Sequence, residues 1–146
     1  MKNMIIKTTL LTASLLGAVN LASAHDQSGT LGATKSAVDY YQIQCFDDGN
    51  GPAANLAVRV KDLAGTIAPP IISAQVTKGI LAINTTDTKD GDALYSPAVK
   101  LNGGNGSYYV MVNKTNKAAD DYSLEYHCET ATKAHTGTNI TVLQNK

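Results

Sequence analysis

The stretch DYSLEYHCE, residues 121–129, decides the fold class. Tyr122, Leu124, Tyr126 and Cys128 fall on one side, and Ser123, Glu125, His127 and Glu129 on the other. That period of two belongs to a half-buried strand. A helix would need apolar residues at i, i+3, i+4 and i+7, and no stretch after residue 24 sustains that pattern for three turns.

Neighbouring segments repeat the alternation. In SYYVMVN (107–113) Tyr108, Val110 and Val112 share a face, and in NLAVRVKDL (55–63) Leu56, Val58 and Val60 oppose Ala57, Arg59 and Lys61. Residues 38–46, 71–77, 80–85, 94–101 and 138–143 also read as strands. Turn signals stand between them: DDGNG at 47–51, Pro69-Pro70, Lys78-Gly79, DTKDGD at 87–92, NGGNG at 102–106 and NKTNK at 113–117. About eight short strands at this spacing predict an all-β protein, a single β-sandwich of jelly-roll or immunoglobulin-like type.

The first 24 residues belong to a different class. Lys2 and Lys7 precede an apolar run at 8–19, and Ala22-Ser23-Ala24 supplies the small-x-small site of a bacterial signal peptide. The run is too short to span a bilayer, so no membrane span is expected. Cleavage after Ala24 leaves 122 of the 146 residues, one domain by length. It predicts a secreted or periplasmic protein. Residues 25–37, HDQSGTLGATKSA, read as a flexible N-terminal arm, and residues 38–146 as the sandwich.

Cys45 and Cys128 enter an oxidising compartment, where a pair is most simply a disulfide. Alternation puts Cys45 with Tyr41 and Ile43, so both cysteines lie on apolar faces and the bridge is expected to be buried. The closed loop of about 84 residues is worth roughly 4.5 kcal/mol in the chain-entropy model.

Composition excludes several functions. Of 12 basic and 12 acidic residues, Lys2 and Lys7 leave with the leader, and the basic remainder is scattered singly. Nothing tracks a phosphate backbone, so nucleic acid is not an expected partner. GxSxG, HExxH, P-loop and GxGxxG motifs are absent from the chain after residue 24, and the cysteines are committed to the bridge. The chain is not expected to be an enzyme.

A family resemblance is carried by VDYYQIQC (38–45), LAVRVKDLAG (56–65) and GNGSYYVMVNKTNKAADDYSLEYHC (104–128). Asp39 and Tyr41, then Val60, Asp62 and Gly65, then Gly106, Tyr108, Tyr109 and Val112, then Tyr122 and Leu124 stand in the order of the bacterial pre-peptidase C-terminal domain, which this chain resembles over about residues 38–129. The chain departs from that family in lacking a peptidase and in carrying the cysteine pair. The resemblance implies a jelly-roll-like, non-catalytic module that binds an unknown protein or surface ligand. Tyr126-x-Cys128 also imitates the tyrosine corner of immunoglobulin domains, but no Trp is present to pack on a bridge.

Two sets of side chains suit metals. After cleavage His25 offers both its α-amine and its imidazole, ligands that suit copper, and His127 or His135 offers a third nitrogen. Alternation aims His127 outward between Glu125 and Glu129. The other reading is that a cut falls before any residue. Asp87, Asp90 and Asp92 bring hard oxygens around Gly91, as calcium requires, and Asp47, Asp48 and Asn50 do so in another turn. Plain turns prefer the same residues. The sequons at Asn84, Asn105, Asn113 and Asn139 are assigned no role. Lastly, the arm at 25–37 or the segment 138–143 suits donation to a neighbouring copy as an extra strand, giving a self-assembling filament subunit, against an ordinary edge strand and tail.

Overall fold

The computed structural model describes residues 25–63, 71–89 and 91–146. Among these described residues nine strands follow in order: β1 (His25–Leu31), β2 (Val38–Phe46), β3 (Asn55–Asp62), β4 (Ile72–Lys78), β5 (Leu81–Asp87), β6 (Val99–Leu101), β7 (Gly106–Lys114), β8 (Asp120–Glu129) and β9 (His135–Gln144). All pairings are antiparallel. The path β5-β4-β7-β2-β9-β8-β3-β6 folds over on itself, with β1 added to β8.

Two faces result. One sheet is β5-β4-β7-β2-β9 and the other β6-β3-β8-β1; β9 joins them, because Thr136 and His135 pair with Cys128 and Glu129 before the strand runs on along β2. β1 occupies β8 from Asp120 to Tyr126, so β9 cannot follow that edge further. On the far side the sheet almost closes: the Asp62 amide donates to Asp87 Oδ2 at 2.9 Å, and Thr85 Oγ1 donates to the Pro97 carbonyl at 2.6 Å. The result is a sandwich on the verge of a barrel.

The inward set is the apolar half of each alternation. Ile43, Leu56, Val58, Val60, Val76, Val110 and Leu124 are fully buried, together with the rings of Tyr41, Tyr108 and Tyr122. Buried phenols need partners. Tyr122 donates to Asp39 Oδ2 at 2.6 Å and receives the Tyr41 hydroxyl, and Tyr108 donates to the Gly104 carbonyl at 2.7 Å. Asp39 Oδ1 accepts the Lys146 amide at 2.7 Å, which draws the chain's last residue onto β2. Cys45 and Cys128 are bonded and fully buried, tying β2 of one sheet to β8 of the other. Such a bridge belongs to an oxidising compartment.

Three expectations are corrected. Residues 25–31 are not a flexible arm: they form β1, in register with β8 from His25↔Tyr126 to Leu31↔Asp120. The end of β1 is clamped by Lys114, whose buried ammonium donates to the carbonyls of Leu31, Gly32 and Ala118. The polar composition of this stretch concealed a strand whose stability comes from its neighbour. The strand expected at 94–101 is reduced to Val99–Leu101, because Pro97 has no N–H to continue the ladder. Ser96 substitutes for part of it, donating its amide to Val60 O at 2.8 Å and accepting the Val60 amide at Oγ at 3.0 Å. The last strand is longer than 138–143, running from His135 to Gln144.

Candidate functional site

Strand register assigns every outward side chain to a face, since residues directly opposite in an antiparallel pair project together. On the β5-β4-β7-β2-β9 sheet, β2 turns out Val38, Tyr40, Gln42, Gln44 and Phe46, and β7 turns out Ser107, Tyr109, Met111 and Asn113. β4 adds Ser73, Gln75 and Thr77; β5 adds Ala82, Asn84 and Thr86; β9 adds Gly137, Asn139 and Thr141. None of these eighteen residues carries a charge, in a chain with 24 charged residues.

The centre of this face is organised. Gln42 Nε2 donates to Ser107 Oγ at 2.8 Å, and Ser107 donates on to Gln44 Oε1 at 2.7 Å, which holds both amides upright across β2 and β7. Tyr40 and Tyr109 stack diagonally across the same strands, with ring centroids 5.8 Å apart. At the β9 side the Phe46 ring lies against Gly137, where a β-carbon would come within 2.4 Å of it. By contrast, the side chains of Gln75, Asn84, Asn113 and Asn139 make no hydrogen bond to protein among the described residues and present donor and acceptor to solvent.

The opposite face is a closed electrostatic network. Arg59 on β3 grips Glu125 on β8 with two bonds, Nε to Oε1 at 2.8 Å and Nη2 to Oε2 at 2.5 Å, which holds the guanidinium pKa above its ordinary value. The Tyr95 ring lies under both Arg59 and Lys61, at 4.5 and 4.6 Å, and its hydroxyl reaches Asp26 at 3.0 Å and Ser123 at 3.1 Å. Lys100 pairs with Glu129 at 2.5 Å. Charge on this side is spent within the molecule.

The histidines divide between the two sides of the β1–β8 sheet. His127 and His135 stack at 4.4 Å on the outer side, and His127 Nε2 meets Glu129 Oε1 at 3.2 Å. Burial, and secondarily the neighbouring His135, lowers the His127 pKa below its ordinary value. Burial alone would raise the Glu129 carboxyl, but Lys100 and His127 together bring it below its ordinary value. His25 projects with Tyr126, on whose ring it stacks at 5.7 Å, and Tyr126 belongs to the inward set. The three proposed copper ligands are therefore not brought together. Among the described residues no group of three or more His, Cys, Asp or Glu is arranged to hold a metal ion.

The acidic turns are occupied by backbone. Asp87 is buried at the closing seam, with Oδ2 on the Asp62 amide and Oδ1 accepting from Lys89 N at 3.1 Å; Asp92 Oδ1 accepts from Leu94 N at 2.8 Å. Asp90 lies outside the described residues. In the other turn Asp47 Oδ1 receives the amides of Gly49 and Gly51, and Asp48 Oδ1 that of Asn50. Both segments considered as donor strands are paired within their own chain, β1 with β8 and the 138–143 segment, inside β9, with β2.

The uncharged face escaped the sequence reading. Alternation singles out the apolar inward set, and the outward residues of each strand look like ordinary polar filler. The signal was present in Tyr40, Gln42 and Gln44 of one strand and Ser107, Tyr109 and Met111 of another, but only register shows them to be one surface. Compared with protein-family models, curated proteins and solved structures, the chain matches none.

Proposed function

We propose that this chain is an exported, non-catalytic binding module that meets its partner through the outer face of the β5-β4-β7-β2-β9 sheet. The carrying observation is the segregation of charge: eighteen outward positions without one charged side chain on one face, against a face of paired ions on the other. Soluble surfaces ordinarily carry charge at roughly a quarter to a third of positions, so about five would be expected here. A charge covered by a partner must be desolvated or paired, which is why the buried centres of interfaces are depleted of charge and enriched in Tyr. A face of Tyr, Gln, Asn, Ser and Thr can be covered with no such cost. The signal-peptide pattern of residues 1–24 and the disulfide support action in the periplasm or outside the cell, and the resemblance to the pre-peptidase C-terminal domain agrees with a non-catalytic role.

The test is sedimentation with isolated envelope and extracellular material of the native host. The protein should co-sediment, Gln75→Lys and Tyr109→Lys should abolish this, and Lys61→Glu on the opposite face should not. Co-sedimentation that is absent, or equally sensitive to both faces, removes the proposal.

A further inference from the structure

We infer that the partner of this face is a neutral polysaccharide; the inference rests on the face being the binding surface. The face matches such a ligand in hydrogen-bonding chemistry. Six planar amides project from it: Gln42, Gln44, Gln75, Asn84, Asn113 and Asn139. An amide offers two donors and a carbonyl acceptor in one plane, and a sugar hydroxyl both donates and accepts, so adjacent hydroxyls on a ring match an amide in a way that an apolar or ionic partner does not. Gln42 and Gln44 are held in place through Ser107, which spares the rotamer entropy that binding would otherwise cost. Gln75, Asn84, Asn113 and Asn139 have their capacity unspent among the described residues.

The aromatic component fits the same ligand. Tyr40 and Tyr109 lie at the middle of the sheet, with Tyr109 37% exposed, and offer apolar ring surface beside hydroxyl tips. A pyranose presents the same combination, with an apolar C–H face and a polar rim. Size points to a polymer: five strands about 4.8 Å apart make a platform roughly 19 Å across, with outward residues on each strand about 6.8 Å apart. Such an open platform suits an extended chain laid along it.

Other partner classes meet the face badly. Phosphate or carboxylate polymers need cations, and the face has none. A protein partner, including a second copy, would centre on an apolar patch, whereas the middle strands here carry Gln42, Gln75 and Ser107 around the tyrosines.

The experiment uses the protein as exported by its native host. Depletion is measured on insoluble cellulose and chitin, and gel retardation on soluble dextran, glycogen and mannan, with alginate and heparin as charged polymers and sedimentation velocity run in parallel. Binding to at least one neutral polysaccharide is expected, unchanged on raising salt, and weakened at least tenfold by Tyr109→Ala and by Gln75→Lys, both at exposed positions. Circular dichroism of each variant should match that of the parent protein. No binding to any of the five, binding only to alginate or heparin, or a dimer that Gln75→Lys dissociates would each overturn the inference. If envelope co-sedimentation persists while all five fail, the binding module stands and its ligand is of another class; if both fail, the module falls with it.

Discussion

The ring of Tyr122 lies over the backbone of Gly29, its register partner on β1: a β-carbon at Gly29 would stand 2.4 Å from the phenol oxygen and 2.5 Å from Cζ. Tyr122 cannot withdraw, because its ring is fully buried and its hydroxyl is held by Asp39 and Tyr41. Gly29→Ala is therefore expected to destabilise by about 1–3 kcal/mol, the cost of overpacking a filled site. Gly137→Ala brings a β-carbon equally close to Phe46, but that ring is 37% exposed and can swing into solvent, so a cost below about 1 kcal/mol is expected. Urea unfolding of the two variants checks the difference, and equal costs would show that β1, not Tyr122, gives way.

The Cys45–Cys128 bridge spans 83 positions and links opposite sheets, so its loss should be felt globally. The double variant Cys45→Ala/Cys128→Ala is expected to lose roughly 2–5 kcal/mol. With a urea slope of about 1–3 kcal/mol/M, the midpoint should fall by at least about 0.7 M. Reductant should produce the same fall in the parent protein and none in the variant.

Acid should destabilise the fold in two stages. The His127 pKa is lowered in the folded state by burial and by His135, so between its folded value and 6.5 the unfolded chain binds the extra proton. Stability is thus fully present above 6.5 and declines as pH falls below it. The Glu129 carboxyl is also below its ordinary 4.5, so its contribution is present above 4.5 and lost on further acidification through its folded value. Melting temperatures measured from pH 8 to 3 should show both declines; His127→Gln should flatten the first and only shrink the second, because Lys100 still holds the Glu129 carboxyl down. An unchanged profile in that variant would place the first decline on another group.

Copper binding, tested with Cu(II) on protein beginning at His25, should not involve the other histidines. His25 projects on the Tyr126 side of the sheet while His127 and His135 stack on the other. His25→Ala, or one extra residue before His25, should weaken binding at least tenfold, since the chelate uses both imidazole and α-amine. His127→Ala and His135→Ala should leave it within about twofold. Calorimetric titration decides this, and a loss in His127→Ala would mean that β1 leaves β8 to bring the imidazoles together.

What the sequence determined by itself was the class and the inward half of the architecture. Burial is a binary property that repeats with the two-residue period of a strand, so Tyr122, Leu124, Tyr126 and Cys128, and equally Tyr41, Ile43 and Cys45, announced both the strands and the disulfide before any partner was known. Tertiary structure alone decided the rest. His25–Leu31 is polar and short, and becomes β1 only because β8 offers seven partners and Lys114 caps its end. Asp87 reads as a turn acid, and becomes a seam between β3 and β5 only when the sheet curls round. The uncharged face exists in no single strand; it arises where five outward alternations are set in register, and register is a long-range relation that local patterning does not encode.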